Sequence, residues 1–304
     1  MSQPLIADRQ LLHSLHQHLC TMEYFDQEAI RLQRTGMLGT YPSTQGQEAV
    51  FLGAAASLEA NDRYIPYYRD TAALHWRGVD LYDILRFWGG YDDGMAYPNN
   101  PHDYPICIPI STQITYAVGT AYALKYQQKP QIALVTMGDG ATNKGQFYES
   151  TQMALTQQLP LLFLINNNQW AISTPLNQQS SQTPFEKIVG LGMPSENVDG
   201  YQLMDVLQAV QRGRQHILTH GGPYCVHATT YRTCDHTTAD DAAKYQPHDE
   251  RSHYLSVNTK QLFEDQLLRQ GSICTTNIIT HHHSARSTVD QAIETYIHKI
   301  QQTT

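Results

Sequence analysis

The amino-acid sequence predicts an α/β fold in which a mainly parallel sheet is flanked by helices. Residues 132–137 and 161–165 are short apolar runs with the length of buried strands, and a helical pattern at 145–157 separates them. A second helix and strand are expected at 203–218 and 224–230. Strands that alternate with helices are joined by right-handed crossovers, so they are expected to run parallel in one sheet.

The remaining elements are predicted mostly as helices. Apolar residues at helical spacing indicate an opening helix, which Gly36 and Gly39 interrupt. These residues are Leu12, Leu15, Leu19, Met22 and Leu32. Further helices are expected near 47–58, 81–88, 117–126, 260–269 and 289–300, and the proline-rich stretch 91–109 is interpreted as a long functional loop. Residues 1–304 are interpreted as one domain with an N-terminal helical segment (about 1–60) and a C-terminal helical tail (about 247–304).

Composition and charge restrict the classes of function. The net charge of -8 argues against a nucleic-acid-binding protein, which normally carries a basic surface. The five cysteines are odd in number and form no CxxC pair, which favours reduced thiols. Residues 1–4 lack the basic and apolar regions of a signal peptide, and no apolar run approaches the roughly 20 residues that span a bilayer. The sequence therefore predicts a cytoplasmic protein without a membrane or nucleic-acid partner.

Two polar motifs follow the first two predicted strands. Residues 138–145 read Gly-Asp-Gly-Ala-Thr-Asn-Lys-Gly, residues 166–170 read Asn-Asn-Asn-Gln-Trp, and Asn168 lies 29 residues after Asp139. In a parallel sheet both motifs lie at the carboxyl edge, where open α/β sheets bind ligands. Glycines and a helix N-terminus suit a diphosphate, and a carboxylate, an amide oxygen and a main-chain carbonyl suit Mg²⁺. The pattern predicts a site for a diphosphate with its metal ion.

Two other interpretations of these motifs fit less well. Gly-Asp-Gly could be only a turn, with the asparagines as strand-end caps, but the flanking strand–turn–helix pattern and the spacing favour a site. A dinucleotide fingerprint would need a third glycine three residues after Gly140, whereas the next is Gly145, and no acidic residue follows the second strand.

The two motifs resemble the signature of thiamine-diphosphate enzymes. Residues 138–142 with Phe147 and Glu149, and the string Asn-Asn-Gln-Trp-Ala-Ile-Ser-Thr-Pro at 167–175, are similar to the E1 α subunits of pyruvate and branched-chain 2-oxo acid dehydrogenase complexes. Those subunits usually have Glu and Tyr or Phe where this chain has Asn166 and Trp170. The resemblance implies the diphosphate-binding half of the thiamine-diphosphate fold. The residues that it places at the diphosphate or its Mg²⁺ are Asp139, Gly140, Ala141, Asn168 and Trp170, with Asp139, Asn168 and the Trp170 carbonyl as the metal ligands.

The resemblance extends from about residue 12 to 246. Residues 46–49 (Gly-Gln-Glu-Ala) and 198–200 (Val-Asp-Gly) match family motifs, the latter with a structural role. Residues 67–70 (Tyr-Tyr-Arg-Asp) match a motif whose tyrosine and arginine, here Tyr68 and Arg69, reach the diphosphate. Residues 109–114 (Pro-Ile-Ser-Thr-Gln-Ile) match a segment whose aliphatic side chain, here Ile110, supports the bent cofactor, and in which 112–113 bind a structural potassium ion in some relatives. Without this context Arg69 would be read as a surface residue and Ile110 as core.

The last matching segment is residues 231–241 (Tyr-Arg-Thr-Cys-Asp-His-Thr-Thr-Ala-Asp-Asp), which resembles the family's active-site loop. His236 takes the position of a catalytic histidine that lies by the diphosphate and assists transfer to the lipoyl group. Cys234 and Asp235 depart from the usual pattern, and Thr237 stands where mitochondrial relatives carry a phosphorylated serine. Considered alone, Cys234, His236 and Asp240 could suggest a metal cluster, but their spacing is weak evidence for zinc.

The resemblance implies thiamine-dependent oxidative decarboxylation of a 2-oxo acid and reductive acylation of the lipoyl group of an E2 acyltransferase. The activating glutamate and the pyrimidine-binding domain belong to a β subunit in such enzymes, so this chain is expected to act only in an α₂β₂ assembly. Pyruvate is the expected substrate, and branched-chain 2-oxo acids, acetoin or a split transketolase are alternatives. Ile108, Ile110 and Tyr41 are expected to line the acyl side. A non-catalytic scaffold is disfavoured because the expected site residues are intact.

Overall fold

The computed structural model describes residues 8–98 and 100–302. The expectation for residues 1–4 lies outside the described residues, as do the first seven residues of the N-terminal segment and the last two of the C-terminal tail.

The fold is built on a five-stranded sheet with the strand order β1-β2-β3-β7-β6, in which every neighbouring pair is parallel. The strands are β1 (Arg63–Ile65), β2 (Ala133–Gly138), β3 (Leu161–Asn167), β4 (Trp170–Ala171), β5 (Thr174–Pro175), β6 (Ser195–Asp199) and β7 (Tyr224–Thr229). The two-residue strands β4 and β5 form a separate antiparallel pair. The prediction of a mainly parallel sheet is confirmed.

Helices cover both faces of the sheet. They are α1 (Arg9–Arg34), α2 (Glu48–Ala56), α3 (Thr71–Trp76), α4 (Leu81–Trp88), α5 (Thr112–Tyr126), α6 (Gly145–Thr156), α7 (Leu176–Gln179), α8 (Pro184–Gly190), α9 (Leu203–His220), α10 (His248–Leu255), α11 (Thr259–Arg269) and α12 (Thr275–Gln301). Short 3₁₀ turns occur at Asp92–Met95, Asp139–Asn143 and Ala242–Lys244. The first of these lies in the predicted 91–109 loop.

The alternating side chains of β3 show why the sheet has helices on both faces. Leu162 and Leu164 belong to the apolar cluster formed with α1, α2 and α9. Phe163 and Ile165 point the other way, into the cluster formed with α5 and α6. A strand that is buried on both faces reads as a continuous apolar run, which is the pattern that predicted it.

Several boundaries differ from the prediction. Helix α5 begins at Thr112, five residues before its predicted start, and α12 begins at Thr275, 14 residues early, where Cys274 and Asn277 form a capping box. Strands β1 and β6 were not predicted. The first has only three residues, and the second reads Ser-Glu-Asn-Val-Asp and is half exposed, so neither contains an apolar run.

The C-terminal helix α12 packs along the opening helix α1. Gln17 Nε2 donates to Ser284 Oγ at 3.0 Å, and the Tyr24 hydroxyl donates to Asp290 Oδ1 at 3.1 Å. Between the helices, the Nδ1 atoms of His16 and His281 lie 2.8 Å apart. One of these two rings must accept the hydrogen bond and therefore be neutral.

This histidine pair predicts an acid-sensitive fold. Burial lowers the pKa of His16, and burial together with the neighbouring histidines lowers the pKa of His281 to about 4; Glu264, 3.2 Å from His16, opposes the shift at that ring. Because unfolded histidines titrate near 6.5, the unfolded chain binds more protons between pH 6.5 and about 4. The free energy of unfolding should therefore fall as the pH falls through this window.

The thermal unfolding midpoint, measured from pH 8 to about pH 4, tests this expectation. His281→Gln should show a weaker decline below pH 6.5 than the unaltered chain, because it has lost one of the depressed groups. Identical pH dependence in the two proteins would contradict the assignment of the pair.

Among the described residues, no helix combines the length and the apolar composition that crossing a membrane requires.

Candidate active site

The site lies at the carboxyl edge of the sheet, where four strands deliver polar side chains. Asp139 directly follows β2, and Asn168 directly follows β3. The two strands are paired with Gly138 opposite Asn166, so Asp139 and Asn168 both lie just beyond the same edge of the sheet. The segments after β1 and β7 supply Arg69 and His236. Parallel strands thus bring together residues that are far apart in sequence.

These segments enclose a cavity of about 270 Å³. All nine residues that the sequence assigned to the cofactor line it: Tyr68, Arg69, Ile110, Asp139, Gly140, Ala141, Asn168, Trp170 and His236.

One end of the cavity carries oxygen ligands. The Asp139 side chain is buried, and burial raises the pKa of its carboxyl group, although hydrogen bonds from Gln179 and from the backbone of Asn168 oppose this effect. Asn168 Oδ1 accepts from the backbone N–H of Trp170 at 3.3 Å. The carbonyl of Trp170 accepts from Arg232 Nη1 at 3.3 Å, so this oxygen has one lone pair left for another partner.

The lining of the cavity also carries buried positive charge. Arg69 Nη1 donates to the Ser43 carbonyl at 2.5 Å, and Nη2 donates to the His236 carbonyl at 3.0 Å. Within the described part of the chain, Arg69 Nε is buried without a hydrogen-bond partner and Arg69 forms no ion pair with a carboxylate. A buried cation without a counter-charge favours an anionic ligand.

The His236 ring lies in this positive field. Its Nδ1 is 3.5 Å from Arg69 Nη2, and its ring centre is 5.8 Å from that of Tyr68. Burial, followed by the charges of Arg69 and Arg232, lowers the pKa of His236 to about 3. The ring is therefore neutral near pH 7.

The backbone is strained around the cavity. Ser111, Gln169 and Ile172 have positive φ values of 70°, 68° and 54°. For the β-branched Ile172 this conformation is a genuine outlier, and such strain concentrates at functional sites. Gly140 meets a different constraint: a Cβ there would lie 2.9 Å from the Cβ of Ala171, so the turn after β2 packs directly on β4.

Comparison with known proteins assigns the family. The family model described as dehydrogenase E1 component matches residues 17–303. Similar relatives include the pyruvate dehydrogenase E1 component subunit alpha of Staphylococcus aureus, which is 35% identical over 270 residues, 88% of this chain and 73% of the relative. The corresponding subunit of Staphylococcus epidermidis is 34% identical over the same shares.

The chain belongs to the dehydrogenase E1 component family.

Membership makes the chain part of a 2-oxo acid dehydrogenase, and the family depends on thiamine diphosphate. Its E1 α subunits normally work with a β subunit. The residues that are present fit this cofactor. Arg69 Nε has no hydrogen-bond partner among the described residues, and the turn at Gly140 is closely packed, and both features suit a diphosphate. Beside them, the Asp139 and Asn168 oxygens and the Trp170 carbonyl are suited to a hard cation.

On the apolar side of the cavity of this E1 component, the expectation for Tyr41 is wrong. Ile108 and Ile110 line the cavity and are 47% and 44% exposed. Tyr41 does not line it, because its ring is buried behind Ser43 and its hydroxyl donates to Asp26 at 3.0 Å. The potassium position expected at residues 112–113 stays a prediction. Gln113 Nε2 donates to the Thr136 carbonyl, and Gln113 Oε1 is buried without a hydrogen-bond partner among the described residues.

Three residues around the E1 site were missed by sequence reasoning. Gln179 Nε2 donates to Asp139 Oδ2 at 2.7 Å, and Gln47 contacts Asn168. Lys187 is buried behind the Asp139–Asn143 turn, where its Nζ donates to Asn143. Gln47 lay in a motif that was already noted. Gln179 and Lys187 lie in helices with no local motif, so their contacts arise only from tertiary packing.

A larger, more open depression of about 810 Å³ adjoins the E1 site on the other side of Trp170. It is lined mainly by uncharged polar side chains of residues 169–183 and contains neither Asp139 nor Arg69. The smaller cavity holds the charged groups that a diphosphate and its cation require, so we place the site there.

Proposed function

We propose that this chain is the α subunit of a pyruvate dehydrogenase E1 that works with a β subunit as an α₂β₂ heterotetramer. It would decarboxylate pyruvate oxidatively and pass the acetyl group to the lipoyl group of an E2 acyltransferase. The main support is the convergence of nine expected cofactor residues on one cavity, eight of them from four strand ends and Ile110 from the segment before α5, in a chain 35% identical to a pyruvate dehydrogenase E1 α subunit.

We assign the following roles to the residues of the cavity. Thiamine diphosphate, when bound, supplies the carbanion and the electron sink for decarboxylation. Arg69 and Tyr68 bind the diphosphate, and Gly140 and Ala141 let the backbone approach it. Asp139, Asn168 and the Trp170 carbonyl would hold Mg²⁺, and Ile110 would support the cofactor from the apolar side.

His236 is proposed as the catalytic residue of acyl transfer. A diphosphate beside Arg69 would offset the positive charge that lowers the pKa of His236, so the pKa of the ring should rise when the cofactor binds. The histidine would then donate a proton or a hydrogen bond to the incoming lipoyl group.

The proposal is tested by turnover on three substrates. The chain assembled with its β subunit should act on pyruvate with a higher kcat/KM than on 2-oxoisovalerate or acetoin, and the chain alone should turn over none of them. A preference for 2-oxoisovalerate would assign a branched-chain enzyme, and a preference for acetoin would assign the acetoin enzyme of the same family. Turnover by the chain alone would overturn the split active site.

Three further expectations from the sequence belong to this proposal. Residues 1–304 would form one diphosphate-binding-type domain, supported by the strands β2 and β3, which contribute to both apolar clusters. A cytoplasmic location is supported by the five cysteines, all of which are free. Neither a nucleic acid nor a membrane is part of the proposed activity.

A further inference from the structure

The side chain of Gln47, at the start of α2, contacts two asparagines at the end of β3. It is fully buried. Its Oε1 accepts two hydrogen bonds of 2.8 Å, one from Asn166 Nδ2 and one from Asn168 Nδ2. An amide oxygen has two lone pairs, so both are used. No hydrogen-bond partner of Gln47 Nε2 is found among the described residues.

These two bonds set the orientation of the Asn168 amide. Because Nδ2 is directed at Gln47, Oδ1 lies on the opposite side, near the backbone N–H of Trp170. Rotating the amide by half a turn would present N–H groups where a cation needs a lone pair. It would also place two acceptor oxygens, Gln47 Oε1 and Asn168 Oδ1, against each other in a buried position.

Asn166 in turn holds Gln47. Its Oδ1 accepts from the Thr230 hydroxyl at 2.8 Å, so its own Nδ2 is directed at Gln47. An ionised carboxylate at residue 166 could not donate a hydrogen bond. The chain of contacts Thr230–Asn166–Gln47–Asn168 therefore depends on the amide at residue 166.

We infer that Gln47 is a positioning residue for the cation site: its Oε1 orients Asn168 so that the amide oxygen, rather than the amide nitrogen, faces the metal ion. This inference rests on the proposed role of Asn168 as a metal ligand. Gln47 itself does not line the cavity.

The inference is tested by Mn²⁺ binding, measured as free Mn²⁺ by electron paramagnetic resonance in the α–β complex with saturating thiamine diphosphate. Gln47→Met keeps the length of the side chain and removes the acceptor. Losing one orienting hydrogen bond of about 1 kcal/mol should raise the Kd for Mn²⁺ about fivefold. Gln47→Glu keeps an acceptor oxygen in either protonation state and should bind Mn²⁺ like the unaltered complex.

A second pair of variants separates orientation from general damage. Asn168→Asp has an oxygen on both sides of the group, so its orientation no longer matters. Because a carboxylate cannot donate to Gln47 Oε1, adding Gln47→Met to Asn168→Asp removes no orienting hydrogen bond and should not raise the Kd of the single variant, whereas a merely structural role of Gln47 would weaken binding in both backgrounds.

Three results would overturn the inference: unchanged binding in Gln47→Met, equal weakening in both backgrounds, or a fivefold loss in Gln47→Glu. The result for Gln47→Glu remains decisive if the Gln47→Met variant does not assemble with the β subunit. Absence of thiamine-dependent Mn²⁺ binding in the unaltered complex would instead refute the proposed cation site, and the inference with it.

Discussion

Replacing His236 with alanine should slow reductive acylation of the lipoyl group by about 10²–10⁴-fold, the usual contribution of a positioned proton donor. Decarboxylation coupled to an artificial electron acceptor should fall less, since the proposed role of His236 is in acyl transfer. The position of the ring agrees with an effect on acyl transfer that is larger than the effect on decarboxylation. It faces Arg69 and Tyr68 at the diphosphate end of the cavity, whereas Ile108 and Ile110 form the apolar side.

The two half-reactions are to be measured at saturating thiamine diphosphate in the α–β complex. His248→Ala is the matched control, because this histidine lies close in sequence but is fully exposed on α10. Equal losses in both half-reactions of His236→Ala, together with weaker cofactor binding, would assign the residue to holding the loop. Unimpaired acyl transfer would remove it from the mechanism.

Replacing Asp139 with alanine should weaken binding of thiamine diphosphate at least tenfold, equivalent to about 1.4 kcal/mol. Among the three proposed Mg²⁺ ligands it is the one charged group, and a hard cation depends strongly on a carboxylate ligand. The substitution also removes the hydrogen bond that Gln179 Nε2 donates to Asp139 Oδ2, which lowers the stability of this part of the site.

Cofactor affinity can be measured by calorimetric titration at several Mg²⁺ concentrations. Asp249→Ala removes the same charge from the exposed surface of α10 and should bind the cofactor normally. If Asp139→Ala retained full affinity and the same dependence on Mg²⁺, the metal assignment would be untenable.

Much of the fold was predictable because its decisive signals are local. The strands β2 and β3 begin as apolar runs, and α4 was predicted at its observed bounds. Strand β1 was missed because its three residues are too few to show an apolar run, and β6 was missed because it is half exposed and is held by pairing with β7. The early start of α12 was missed because its first turns are largely exposed and carry no apolar period.

The residues of the candidate site also divide into those that the sequence predicted and those that it misplaced. Asp139 and Asn168 could be chosen from the sequence because each lies in a short motif directly after a predicted strand, whereas Arg69 and His236 were chosen from the resemblance to the E1 α subunits. Tyr41 was misplaced because a sequence does not show which way a side chain points, and its hydroxyl turns inward to Asp26.

The sequence by itself determined that this chain is a parallel α/β protein with the motifs of a thiamine-diphosphate E1 α subunit, since those features depend on residues close together along the chain. Only the tertiary structure decided which buried polar side chains contact one another. The contacts of Gln47 with Asn166 and Asn168, and of His16 with His281, join residues 119, 121 and 265 positions apart. Such contacts form when packing excludes water and buried polar groups must find partners, and no local pattern records which partner they find.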